Sequence, residues 1–329
     1  MALLKPAMCA MRSRRFKQID VFTDTAYFGN ALAVVLDGDG LSDDAMQRFA
    51  RWTNLSETTF LLPPTDSAAD YRLRIFTPGG ELPFAGHPTL GSCHAWLEAG
   101  GQPQTAGQIV QQCAVGLVTI KRDCQREFQH DAKRPERLAF AAPPLRRSQP
   151  EPALLEAVAG ALGLQTQQIL ASQRLDNGPV FLGLLLDSPE TVLQLRPDHA
   201  ALIRLNLKVG VAGIYADDST QAPPLIGRIN REAAAFSQSP TAQAADDTPL
   251  LEVRGFCAAT GINEDPVTGS LNASLAQWLI GEGHLPERYM ASQGVCIGRA
   301  GHVHIHRDAA GQVWVGGQSV SCIDGNVTL

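Results

Sequence analysis

Glu81-Leu-Pro-Phe-Ala-Gly-His-Pro-Thr89 is the stretch on which the reading of the fold turns. Small residues dominate from Ala85 to Cys93, which predicts a buried helix running toward Leu97. Pro88 suits a position just inside the helix start, where its missing N–H removes no hydrogen bond. A second stretch, Glu264-Asp-Pro-Val-Thr-Gly-Ser270, has the same outline. Phe76, a turn, Glu81, Pro83 and Gly86 lead into a helix toward Trp96; Phe256, a turn, Asp265, Pro266 and Gly269 lead into one toward Trp278. The glycine-to-tryptophan spacings are 10 and 9 residues, close enough for an internal duplication and also within reach of chance. If the repeat is real, two similar α/β halves each present a glycine-started helix end to a shared cleft.

Working outward, Phe16–Phe22 is expected to be a first strand, and Ala31–Leu36 a short buried one closed by Asp37-Gly-Asp-Gly40. Ser42 can cap a helix over Asp43–Thr53, with Asp43 and Asp44 in its first turn. Met46, Phe49 and Ala50 share one face of it. Thr58–Leu62 and Tyr71–Ile75 read as strands, the second alternating large apolar with basic residues. Glu57 therefore falls at a helix–strand junction. More strands are expected near Ile109–Gln112, Leu117–Arg122, Val180–Leu186 and Val211–Ala216, and a helix over Pro152–Leu162. Prolines at 135, 143, 144, 150 and 152 mark a connection between domains. Gln238–Pro249, rich in Ala, Gln, Ser, Asp and Pro, reads as a mobile insertion outside the core.

With 44% hydrophobic and 18% charged residues, the 329-residue chain has the composition of a soluble enzyme with a real core. Its formal net charge of −6 lacks the basic footprint of a nucleic-acid binder. No apolar run approaches a membrane span. Seven cysteines without a C-x-x-C pair argue against a disulfide framework and a zinc ribbon, placing the protein in the cytoplasm. Met1–Arg15 lacks the charge order of a secretory signal and reads as a leader, with Met11 an alternative start.

Helix starts expose unpaired N–H groups and the positive end of the helix dipole, and glycine lets a ligand come close. Gly86-His87-Pro88-Thr89 and Asp265–Ser270 fit a carboxylate site of this kind, and they fit ordinary capped helices equally well. Glu57 reads either as a solvated loop acid or as a general acid–base; His87 is open to a structural or a catalytic reading. His302-Val-His304-Ile-His306 places three imidazoles on one strand face, with Asp308 in step. Ligands spread along one strand converge poorly on one ion, so a polar strand face is expected and no metal. Neither a Walker A loop nor a strand–G-x-G-x-x-G–helix unit is present, so no nucleotide cofactor is expected.

Six stretches, in order, match a known pattern: Asp20-Val-Phe-Thr23, Gly29-Asn30, Asn54-Leu-Ser-Glu-Thr58, Arg74-Ile-Phe-Thr-Pro78, Glu81–Thr89 and Glu264–Ser270. The chain resembles the PhzF-like proteins of phenazine biosynthesis, relatives of diaminopimelate epimerase. That resemblance implies an α/β (α+β) fold of two pseudo-symmetric domains, each a curved sheet wrapped around a central helix. It implies domains at 16–133, joined by the last strand at 310–329, and at 134–309, after a leader at 1–15. It further implies Glu57 as the acid/base with His87 and Asp265 beside it, and substrate held by Gly86, Gly269, Ser270 and Asn30. A cofactor-free isomerase acting on a small carboxylate-bearing metabolite follows, and a homodimer by the same route. The related epimerases carry a cysteine at each helix start; here Gly86-His87 and Gly269-Ser270 stand instead, against a two-thiol racemase. Ala31, where proline is common, and Leu271-Asn272-Ala273 depart from the family pattern and put the substrate's identity in doubt. An epimerase or racemase of a small acid, and a non-catalytic small-molecule binder, stay open as alternatives.

Overall fold

The computed structural model describes residues 11–122, 137–215 and 248–329. The chain opens with β1 (Ser13–Val21), β2 (Asn30–Val35), α1 (Asp43–Thr53), β3 (Glu57–Leu62), β4 (Tyr71–Thr77) and β5 (Gly80–Leu82). Helix α2 (Gly86–Glu98), β6 (Gln108–Cys113) and β7 (Gly116–Arg122) complete the first half. A connecting segment carries β8 (Leu138–Ala141), β9 (Arg146–Ser148) and α3 (Pro152–Leu162). The second half has β10 (Ile169–Asp176), β11 (Val180–Leu186), α4 (Pro189–Gln194), α5 (His199–Leu205), β12 (Lys208–Ile214), β13 (Leu251–Cys257) and β14 (Ile262–Asp265). Then come α6 (Gly269–Gly281), β15 (Arg288–Gln293), β16 (Gly301–Arg307), β17 (Val313–Gly317) and β18 (Ser319–Thr328).

Strand pairing shows the duplication directly. In the first half β1–β2 is antiparallel, β2–β3 parallel, β3–β4 antiparallel, β4–β5 antiparallel, β4–β6 parallel and β6–β7 antiparallel. In the second half β10–β11, β11–β12, β12–β13, β13–β14, β13–β15 and β15–β16 repeat those senses in the same order. Register refines the match. Phe76 lies opposite Thr58, and Phe256 opposite Val209. In both halves an arginine two residues before that phenylalanine forks onto a glutamate: Arg74 onto Glu81 at 2.7 and 2.6 Å, Arg254 onto Glu264 at 2.9 and 2.8 Å. Each guanidinium also lies 5.0 Å from its phenylalanine ring centroid. Glu81 therefore corresponds to Glu264. The sequence alignment of Glu81 with Asp265 is off by one, because the turn before β14 is longer; the true counterpart of Asp265 is Leu82.

The two halves join through β7–β8–β17–β16, and β18 runs antiparallel to β1 from the Val21–Ser319 pair to the Ser13–Thr328 pair. β1 begins at Ser13, so Arg14 and Arg15, read from sequence as leader, belong to the sheet. Most of the Gln238–Pro249 insertion lies outside the described residues. Helices α2 and α6 are buried on nearly every side, as expected of helices without a polar stripe. Small residues let the sheet close on them: a Cβ on Gly91 would lie 2.7 Å from both Leu32 and Val21 side chains. Helix α1 forms as its sequence predicts, with the Ser42 hydroxyl accepting from the Ala45 N–H and Met46, Phe49 and Ala50 buried. Asn54 ends it in the left-handed conformation at φ 53°, and this turn delivers Glu57 as the first residue of β3.

Candidate active site

The starts of α2 and α6 meet where the halves face each other. A Cβ on Gly86 would lie 3.3 Å from the Gly269 Cα and 2.7 Å from the Phe140 ring. Neither helix start is capped by a side chain, whereas α1, α4 and α5 are capped by Ser42, Ser188 and Asp198. The Thr268 hydroxyl, in the capping position of α6, donates instead to Asp265 Oδ2 at 2.7 Å. Two helix ends with uncapped N–H groups thus abut in the interior, an arrangement suited to a carboxylate.

Glu57, His87 and Asp265 come together at this junction. Glu57 Oε2 lies 3.3 Å from His87 Nε2, with only 15% of the Glu57 side chain and 6% of the His87 side chain exposed. The approach is off the line a hydrogen bond needs, and neither atom has a hydrogen-bond partner among the described residues. Burial raises the Glu57 carboxyl above its ordinary range, against a hydrogen bond from Ser56 and the positive charge of Lys208. Burial also pushes His87 down to about 4 despite the nearby Asp265, so its imidazole is neutral near pH 7. Asp265 is pushed up to about 6 by burial, with His87 opposing and Glu57 adding.

Asn30 links the two halves beside the site. Its Nδ2 donates to Asp265 Oδ1 and to the Val267 carbonyl, both at 2.9 Å, and lies 3.4 Å from His87 Nδ1. Both amide protons are therefore used in tying β2 to the segment before α6. Gln293 continues the scaffold, donating to the Asp265 carbonyl and to Thr268 Oγ1 while accepting from the Thr268 N–H. Ser270 is half-buried, and its carbonyl accepts from Asn177.

Three features escape motif reading. Phe22 is fully buried with φ 66°, an unusual conformation for a bulky residue, and its ring lies 3.3 Å from where a Gly269 Cβ would stand. Lys208 opens β12 and its charge acts on both Glu57 and Cys257. Cys257 is a thiol in the same region, pushed up to about 12 by burial, then by Asp265. The positive φ of Phe22 has no sequence signature, and the other two belong to no motif. Among the described residues no group of three or more His, Cys, Asp or Glu side chains is placed to hold a metal. His302, His304 and His306 share the more exposed face of β16, with Val303 and Ile305 in the core. No helix among the described residues is long and apolar enough to cross a membrane.

The model of the phenazine biosynthesis-like protein family matches residues 19–325. The chain belongs to that family. It is 32% identical to antisense-enhancing sequence 1 of Schizosaccharomyces pombe, the match covering 96% of this chain and 99% of that one. It is 31% identical to the trans-2,3-dihydro-3-hydroxyanthranilate isomerase of Pseudomonas aeruginosa, again over 96% and 99%. The crystal structure of a PhzF-family phenazine biosynthesis protein from Bacillus anthracis superposes with a TM-score of 0.75 at 20% identity, covering 97% of this chain and 100% of that one, so the fold is shared. By class of activity this phenazine biosynthesis-like protein is an isomerase.

Proposed function

We propose that this family member is a cofactor-independent isomerase in which Glu57 removes a proton from one carbon of a small carboxylate-bearing metabolite and returns it to another carbon on the same face. One observation carries the reading: a buried carboxyl oxygen and a buried imidazole nitrogen, 3.3 Å apart and each without a hydrogen-bond partner among the described residues, lie beside two uncapped helix starts. Buried polar atoms are normally paired, and exceptions call for an explanation. A substrate supplies one. Its carboxylate would accept from the N–H groups of Gly86, His87, Gly269 and Ser270, which brings a neighbouring carbon to Glu57.

The electrostatics suit proton transfer. A carboxylate with an ordinary pKa is a weak base at neutral pH, and burial of Glu57 raises its basicity. Neutral His87 can donate or accept at Nε2 without the charge of an imidazolium. Asp265, near its midpoint at about pH 6, can hold a proton and relay it, positioned by Asn30 and Thr268. In this reading residues 16–133 with 310–329 supply Glu57, His87 and Gly86, and residues 134–309 supply Asp265, Gly269 and Ser270.

The first compound to assay is trans-2,3-dihydro-3-hydroxyanthranilate, the compound named for the Pseudomonas aeruginosa relative. Turnover in deuterium oxide, followed by proton NMR, tests the reaction type. A product with its double bonds shifted is expected, carrying at the newly protonated carbon the substrate's own hydrogen well above the solvent's isotope ratio. Deuterium washed into the starting carbon with inversion there, and no shift of double bonds, would make it an epimerase instead.

A further inference from the structure

Strand register makes Lys208 the structural counterpart of Glu57. Glu57 is the first residue of β3 and immediately precedes Thr58, which pairs with Phe76. Lys208 is the first residue of β12 and immediately precedes Val209, which pairs with Phe256. On the other side Glu57 pairs in parallel register with Leu32, and Lys208 with Phe181. The repeat thus brings an acid to the cleft from one half and a cation from the equivalent place in the other.

The Lys208 ammonium lies 5.8 Å from the Phe181 ring centroid, near the outer limit of a cation–π contact. Its side chain is half-buried, and among the described residues no carboxylate lies within salt-bridge distance of it. Its charge nevertheless reaches Glu57 and Cys257. A partly desolvated cation with no counter-ion among the described residues is unfavourable, and an anion bound beside it relieves that cost. Glu57 fills the role poorly, because burial favours its neutral form.

We infer that Lys208 receives a second acidic group of the substrate, so that the natural substrate is a small diacid whose one carboxylate rests on the helix starts and whose other anionic group faces Lys208. This rests on the reading of the helix starts as a carboxylate site. It separates the chain's substrate from a monocarboxylate such as dihydro-hydroxyanthranilate.

Equilibrium titration calorimetry with the three benzenedicarboxylates and their monoamides tests this, since each pair differs in one charge and the series spans three separations. The full chain is expected to bind at least one diacid about tenfold or more tightly than its monoamide. Lys208→Met is expected to bring that pair within about threefold by weakening the diacid alone, and Lys208→Arg to keep the preference; thermal unfolding of both variants checks that they fold. Three results overturn the inference: no diacid preference in the unmodified chain, a preference that survives Lys208→Met, or equal weakening of diacid and monoamide in that variant. The last would put the sole carboxylate on Lys208. Binding is read without turnover, so Glu57→Gln must keep the diacid preference whether or not it abolishes catalysis; a fully active Glu57→Gln with the preference intact would sink the Glu57 reading alone.

Discussion

His87 and Asp265 depart from ordinary titration in opposite directions, and the sign of each has a consequence for stability. His87 titrates at about 4 in the folded chain, against about 6.5 for an unfolded histidine. As pH falls below about 6.5 the unfolded chain binds the proton first, so folding stability is lost down to about pH 4. Asp265, raised to about 6, acts the other way: its ionised form is disfavoured on folding, so stability is gained as pH falls through about 6 toward the unfolded value. The two nearly cancel in the wild-type chain. Removing the histidine by His87→Gln takes away both its own loss and its opposition to the rise of Asp265, so the variant should gain on wild type by about 3 kcal/mol between pH 6.5 and pH 4, read from urea unfolding at a series of pH values. Cys257 gives a second test at this scale. A thiol at about 12 is protonated at neutral pH and is no base, so Cys257→Ser should keep kcat within about threefold, where a thiol-dependent racemase would lose nearly all activity. Glu57, His87 and Asp265 are singled out in the sequence by three of the stretches that carry the family resemblance, and the fold brings the three together. Lys208 is not, since only the pairing of β12 with β11 and β13 shows that it matches Glu57. Asn30 shows the same limit: nothing local in the sequence records that its amide donates to Asp265 and to the Val267 carbonyl.

At the scale of single elements, the two glycine-started helices set the geometry. Alanine favours an exposed helix interior over glycine by up to about 1 kcal/mol. Gly160 in α3 has nothing within 4 Å of a built Cβ, so Gly160→Ala should stabilise the chain by about 0.5–1 kcal/mol and leave activity unchanged. Gly86→Ala has the opposite expectation. The new methyl group would meet the Phe140 ring at 2.7 Å and crowd Gly269, forcing the helix starts apart; kcat/KM should fall at least about tenfold while the circular dichroism spectrum stays that of a folded chain. An active Gly86→Ala with unchanged kinetics would remove the helix junction from the site. α1 was readable from its cap and periodicity, and α2 from its small residues. The first strand, expected over Phe16–Phe22, begins three residues earlier at Ser13 and ends at Val21, because Phe22 leaves the sheet in the left-handed region, which no propensity for a bulky apolar residue anticipates.

For the whole molecule, duplication supplies two equivalent frameworks and divergence makes them chemically unequal. The Arg74–Glu81 and Arg254–Glu264 forks preserve the frame on both sides. Within that frame Glu57 stands against Lys208, Leu82 against Asp265, and His87 against Ser270. A symmetric pair of bases would suit inversion at one carbon; an acid at the start of β3 with a cation at the equivalent start of β12 suits transfer of one proton along one face. The sequence shows the repeat in outline, through its two glycine-to-tryptophan helices. It does not show how the halves are closed, because the pairing of β18 with β1 joins residues about three hundred positions apart and no local pattern records such a partner. The central claim is that Glu57 is the base, and kcat for Glu57→Gln on an acid the wild-type chain isomerises is its most direct test. The isostere keeps the shape of the site and cannot carry the proton, so kcat should fall by about a thousandfold or more with KM within a few-fold; a kcat within tenfold of wild type would contradict the account.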